Sequence, residues 1–287
     1  MTQQRSWPAW IACTGIALLC SLSVGCDGTT GLRRSSFALY AGGVARPDSG
    51  PLVFDNALGF HITLQTARIA VGPVYWNVAP PLTLNRPSLW QRARSWPLAA
   101  LIGTAIADET QDHLGGGRII AQVTARAIVN TLSPELTLLG LGDGVSEHAQ
   151  TAELWLLPED AAKQSGTLPG SAVAQLEGQA ERSGMTIPFT ALLPLDAQMA
   201  GAEPLQQLRS VRRVPANIDF GAEGSNPDLE LRIDPRPWLN YADFSDLAAR
   251  PLEGSTHPVL HDDQVMRVLQ AGVRQSQGVY FFAVRKR

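Results

Sequence analysis

The sequence predicts a mainly β protein, an antiparallel β-sandwich or barrel-like domain with one or two short peripheral helices. Three observations carry this. Short runs of alternating apolar and polar residues recur along the chain, and Gly and Pro (26 and 20 residues) punctuate them. Only residues 262–275 hold a convincing helical apolar period. Finally, 45% hydrophobic residues in a chain of 287 can build a core, while a 17% charged share excludes a highly charged disordered chain or a coiled coil.

The chain opens with Arg5 as its only charge before Asp27, followed by an apolar or small run from Trp7 to Gly25. A short basic start and an apolar run make a secretory signal pattern. From Ala9 to Gly25 the run is 17 residues, at the short end for a bilayer span, and Gly15 with several Ser and Thr weakens a permanent one. It ends Leu22-Ser23-Val24-Gly25-Cys26, which resembles the bacterial lipobox. Gly25 matches the small residue before the cut and Cys26 the acylated residue, while Ser23 stands where the lipobox favours Leu. The resemblance implies a lipoprotein cleaved before Cys26 and carrying palmitate-type acyl chains there. Cleavage by an ordinary signal peptidase, or an uncleaved anchor, are the alternatives. Cys13 and Cys20 leave with the signal, so no disulfide, Cys metal site or Cys nucleophile remains. Acyl chains at about 0.8 kcal/mol per buried CH₂ hold a protein on a membrane without help from its globular part. Asp27 resembles the inner-membrane retention signal of enteric lipoproteins, and the leaflet stays open.

The expected organisation is a signal peptide at 1–25, a flexible Gly/Thr tether at 26–36, and a single β-rich domain at 37–287. Within the domain, 37–40 reads as a strand, followed by a Gly/Pro-rich loop to Pro51. In 59–72, Phe60, Ile62 and Leu64 share one parity and Ala67, Ile69 and Val71 the other, which predicts a bulge near Thr66. Gly72-Pro73 breaks the run and 74–76 resumes it. Residues 80–97, with Pro80, Pro81, Pro87 and Pro97, read as a loop, and 98–107 as either strand or helix. Residues 118–129 read as one alternating strand with a slip, and 152–157 as a strand with Trp155 in the core. Residues 172–180 and 185–192 flank Arg182-Ser183-Gly184 as a hairpin. Further strands are expected at 217–220, 229–234 and 280–284.

Residues 262–275 form the best helix: Val265, Val268, Leu269, Gly272 and Val273 trace one face, Asp262 or Asp263 can cap it, and Gly278 lies beyond its end. Its apolar stripe should dock on a sheet face beside the last strand. Residues 204–214 are a second helix candidate, with Leu205, Leu208 and Val211 spaced by three, and 159–164 a single turn.

The chemistry-bearing motifs are few. There is no G-x-S-x-G, H-E-x-x-H or Walker loop. Gly140-Leu141-Gly142-Asp143-Gly144 reads as a β-turn, since Asp143 would repel phosphate. A net charge of −3 gives no electrostatic case for nucleic acid. The densest ligating cluster is His257, His261, Asp262 and Asp263, whose imidazoles and carboxylates suit Zn or Cu. Pro258 keeps His257 off a helix, so the four-residue spacing does not align the two imidazoles, and a solvated loop with a helix cap is the plainer reading. Asp112-His113 is a weaker pair, and His61 is expected to face away from the core. Trp90 and Trp96, in the Pro-rich loop, are the candidates for a ligand surface.

The segment 59–75 resembles an early strand pair of uncharacterised envelope lipoproteins from myxobacteria and their relatives. The segment 229–238, with Asp243-Phe244-Ser245, resembles a late segment of the same group. Together they cover under a fifth of the chain that follows the signal. The resemblance implies secretion, lipidation and a β-rich fold, and names no catalytic residue. The expectation is a non-enzymatic binding or scaffolding protein of the bacterial cell envelope, facing the periplasm or outside. It would be membrane-bound through Cys26, monomeric in its soluble part and without a cofactor, its protein or small-molecule ligand unspecified. A Zn- or Cu-binding envelope protein using the C-terminal His/Asp cluster is the alternative.

Overall fold

The alternating runs pair into two sheets. The structure, a computed structural model, describes residues 33–46, 50–80, 118–157, 168–169, 172–195, 209–220 and 227–285. Among them lie β1 (Arg34–Gly43), β2 (Leu52–Asp55), β3 (His61–Val71), β4 (Val74–Asn77), β5 (Ile119–Val123), β6 (Ala127–Asn130) and β7 (Thr137–Val145). β8 (His148–Trp155), β9 (Ala174–Arg182), β10 (Met185–Leu193), β11 (Ser210–Asp219), β12 (Asp228–Ile233) and β13 (His257–Pro258) follow. Helix α1 (Gln264–Val273) and β14 (Tyr280–Val284) come last, with 3₁₀ turns at Arg236–Leu239 and Ser245–Ala249.

The first sheet runs β11-β8-β4-β5-β7-β1-β12-β14, and its outer strands β11 and β14 lie against each other, so it curls into a nearly closed barrel-like wall. The second runs β13-β10-β9-β3-β2, with β6 also on β3. β1–β12 and β10–β13 are parallel pairs within otherwise antiparallel sheets.

β3 shows how the sequence sets this frame. Ile62 and Leu64 are fully buried, the register slips between Leu64 and Thr66, and Ala67, Ile69 and Val71 are buried on the other parity. That slip is the predicted bulge. At Gly72 (φ 110°) the chain leaves the second sheet for the first, and the Gly72 N–H donates to the Trp155 carbonyl at 2.9 Å.

The core fills the space between the sheets. Trp76 sits among Phe37, Phe220 and Phe282 with ring centroids 5.3, 5.8 and 5.6 Å away. Phe244 joins Phe60 and Phe189 at 5.5 and 4.8 Å in a second aromatic nest. Such pairs contribute about 0.5–1.5 kcal/mol each beyond their area burial.

Helix α1 buries Val265, Met266, Leu269, Gly272 and Val273. It packs chiefly on the Arg236–Leu239 turn, with β10 as its sheet contact. Its link to the last strand is the Tyr280 hydroxyl, which donates to the Val273 carbonyl at 2.5 Å. Among the described residues no helix is long and apolar enough to cross a membrane.

Several expectations are corrected. The tether does not reach Ser36, because residues 34–36 already pair with β7 in β1. Residues 118–129 are two strands: β5 belongs to the first sheet and β6 to the second. The 204–214 helix candidate does not run to its expected end: Arg209 is helical, but β11 begins at Ser210 and bulges between Val211 and Val214, with Arg213 at φ 53°. Gly140-Leu141-Gly142-Asp143-Gly144 lies in the middle of β7 and is no turn. Gly142 is needed there because a Cβ would come 2.5 Å from the Phe37 ring. Trp155 is half-buried, its neighbours Leu154 and Leu156 taking the core positions. The short strand β2 was not foreseen. The readings at 98–107 and 159–164 lie outside the described residues.

Candidate functional site

A cleft of about 830 Å³ opens between the end of β2, the Arg236–Leu239 turn and α1. β12 runs parallel to β1, and Ile233 pairs with Gly43 at the C-terminal end of β1. Asp234 follows directly, so the cleft lies at the end of β1 opposite Arg34. Ten strand residues separate the two ends by about 30 Å.

One wall is the segment 234–241. Pro235 and Pro237 favour a tight 3₁₀ turn after β12, and Asp234 straps it. The Asp234 carboxylate accepts from the Arg236 main-chain N–H at 3.0 Å and its guanidinium Nε and Nη2 at 2.9 and 2.6 Å. This bidentate contact pushes the Arg236 guanidinium further above its ordinary value. Asp234 is buried while Arg236 is about half exposed, so the pair offers the cleft a fixed guanidinium edge.

Asn56 fastens this wall to β2. Its Nδ2 donates to the Leu239 and Ala242 carbonyls at 3.2 and 2.8 Å, while its Oδ1 accepts from the Leu58 and Phe60 N–H groups at 3.0 Å. From α1, Gln264 donates to the Tyr241 carbonyl and accepts from the Asp243 N–H, both at 2.7 Å. Tyr241 is thus held by its backbone while the residue stays 62% exposed at the rim. Phe54, Pro237, Val268 and Ala271 add apolar lining, and Asp55, Asn240 and Gln275 add polar groups. The Asp55 carboxylate also takes the His61 Nδ1 at 2.8 Å, with both side chains exposed.

The residues singled out from the sequence do not form this site. His257 is buried in β13, beside Phe189 of β10, with no hydrogen-bond partner for its Nδ1. His261 is half-buried in the turn before α1. Asp262 is exposed, and its carbonyl accepts from Arg267. Asp263 is buried and engaged: Arg250 binds both its oxygens at 2.7 and 2.6 Å, and the Leu260 N–H donates to it at 2.7 Å. That carboxylate orders the approach to α1. Among the described residues no group of three or more His, Cys, Asp or Glu is arranged to hold a metal ion. Cys26, Trp90, Trp96 and Asp112-His113 lie outside the described residues.

Sequence reasoning passed over Phe54, Asp55, Asp234, Arg236 and Tyr241. One signal was available: Asp-Pro-Arg-Pro at 234–237 places an acid and a base two residues apart on a chain that proline holds rigid. No family model, curated protein or solved structure matches the chain.

Proposed function

We propose that the protein is a lipid-anchored, non-enzymatic binding protein of the bacterial cell envelope, which holds its cleft away from the membrane. The observation that carries the reading is the polarity of β1. Cys26 precedes Arg34 by eight residues, a span of at most about 28 Å, and the cleft lies a strand length beyond. Acylation at Cys26 would put the Arg34 end nearest the bilayer and leave the cleft open to the envelope. The cleft's volume falls within the range of ligand pockets, about 300–1,000 Å³. Its buried acid is taken up by Arg236, which suits holding a ligand better than moving a proton.

The test is Cys26→Ser with metabolic labelling by a fatty-acid analogue. The wild-type protein should take label and the variant none, while accumulating as a larger precursor. Equal label in both would reject the anchor.

A further inference from the structure

Among the described residues, the β2 border of the cleft is a sheet edge with no further strand on it. β2 pairs with β3 on one side, with Leu52, Val53, Phe54 and Asp55 opposite Leu64, Thr63, Ile62 and His61. The Asn56 N–H donates to the Phe60 carbonyl at 2.9 Å, which fixes the phase of the ladder. Antiparallel pairs alternate, so Phe54 and Leu52 bond to β3 while Val53 and Asp55 turn their N–H and C=O groups away from it. Among the described residues these outward groups have no main-chain partner. Phe54 and Asp55, which point to opposite faces of the sheet, both line the cleft, so the cleft touches the strand along its edge.

Taking the cleft as the binding site, we infer that it receives an extended polypeptide segment, which adds to β2 as a further strand. The Val53 and Asp55 main-chain groups supply the hydrogen bonds. The apolar wall of Phe54, Pro237, Val268 and Ala271 takes alternate side chains of the segment. The Asp234–Arg236 pair balances its own charge and Asp55 adds one exposed carboxylate to the lining, so the fitting segment is apolar on one face and carries no net negative charge.

The probe is a displayed library of random linear dodecapeptides, panned against the full chain purified in detergent. That format works whether or not Cys26 is acylated, so failure of the anchor and failure of this inference are distinguishable. Panning should enrich peptides with apolar residues at every second position. Asp55→Pro removes an N–H that β3 does not use and should bind them about tenfold more weakly than Asp55→Ala, which loses the same carboxylate but keeps the N–H. If Asp55→Pro fails to fold, hydrogen exchange of the wild-type chain decides: the Val53 and Asp55 amides should exchange more slowly with peptide bound. No enriched peptide, equal binding by the proline and alanine variants, or unchanged exchange at both amides would each overturn the inference. So would binding of cell-wall oligosaccharides at the Tyr241 rim that leaves both amides unprotected.

Discussion

Gly272 seats α1 on the turn that forms one wall of the cleft. A Cβ there would stand 2.4 Å from the Trp238 Cα and 2.9 Å from its carbonyl oxygen, both main-chain atoms that no rotamer change can move aside. Gly272→Ala should therefore destabilise by about 1–2 kcal/mol, the overpacking cost less the helix-propensity gain, and lower the melting temperature. Tyr280 gives a residue-scale pH dependence. Complete burial disfavours its phenolate and raises its pKa well above the ordinary value near 10. The unfolded chain releases this proton near pH 10 and the folded chain does not. The stabilisation is thus intact below about pH 10 and lost as pH rises beyond it. Tyr280→Phe should cost about 1 kcal/mol at neutral pH through the missing bond to the Val273 carbonyl, and should flatten the alkaline decline. Urea midpoints from about pH 8 to pH 11 would show a steeper fall for the wild type. Such details are illegible in sequence. Nothing along the chain says that Asp263 will meet Arg250 rather than the imidazoles beside it, because that partner is brought in by the turn at Ser245–Ala249.

At the scale of elements, the β9–β10 hairpin turns through Ser183 (φ 53°) and Gly184 (φ 79°), both left-handed. Two such residues between paired strands fit a type I′ turn, which favours Asn-Gly. Ser183→Asn should raise stability by about 0.5 kcal/mol in a denaturant melt, and an unchanged or lowered midpoint would count against this turn geometry. The hairpin was legible because apolar alternation on both sides points at one Gly. The β3 bulge was legible for the same reason, as the buried parity switches between Leu64 and Ala67. Legibility failed where alternation continues while the chain changes sheet. Ile120 and Val123 fill one sheet and Val129 the other, but the linking residues 124–126 carry no Gly or Pro to announce the break. In β11 the register slips between Val211 and Val214, so the strand buries two residues three apart where a regular strand would bury every second one. β2 was missed because four residues are too few to show alternation, and the proposed binding edge was hidden with it.

For the whole molecule, the cleft, the core and the C-terminal elements depend on one another. β14 pairs with β12 from Ile233 to Leu229, and α1 covers Trp238. Removing residues 262–287 strips both away, exposing Trp238 and one edge of β12, so the truncated protein should be insoluble on fractionation. The domain itself should need no staple. Residues 27–287 contain no Cys, so no disulfide can close a loop, and cohesion must come from apolar burial. A chain of about 260 residues buries roughly 70–75% of its unfolded surface, enough for a core held by packing alone. Here the core runs from Trp76 and Phe37 in one sheet to Ile62 and Phe189 in the other. The polypeptide 27–287 should accordingly fold without lipid or metal as a monomer with a β-dominated circular dichroism spectrum and a cooperative melt. Adding a chelator should leave the melting temperature unchanged, because the carboxylate nearest the His cluster already spends its oxygens on Arg250 and the Leu260 amide. A melt that collapses under chelation would mean that a metal, and not this ion pair, holds the approach to α1.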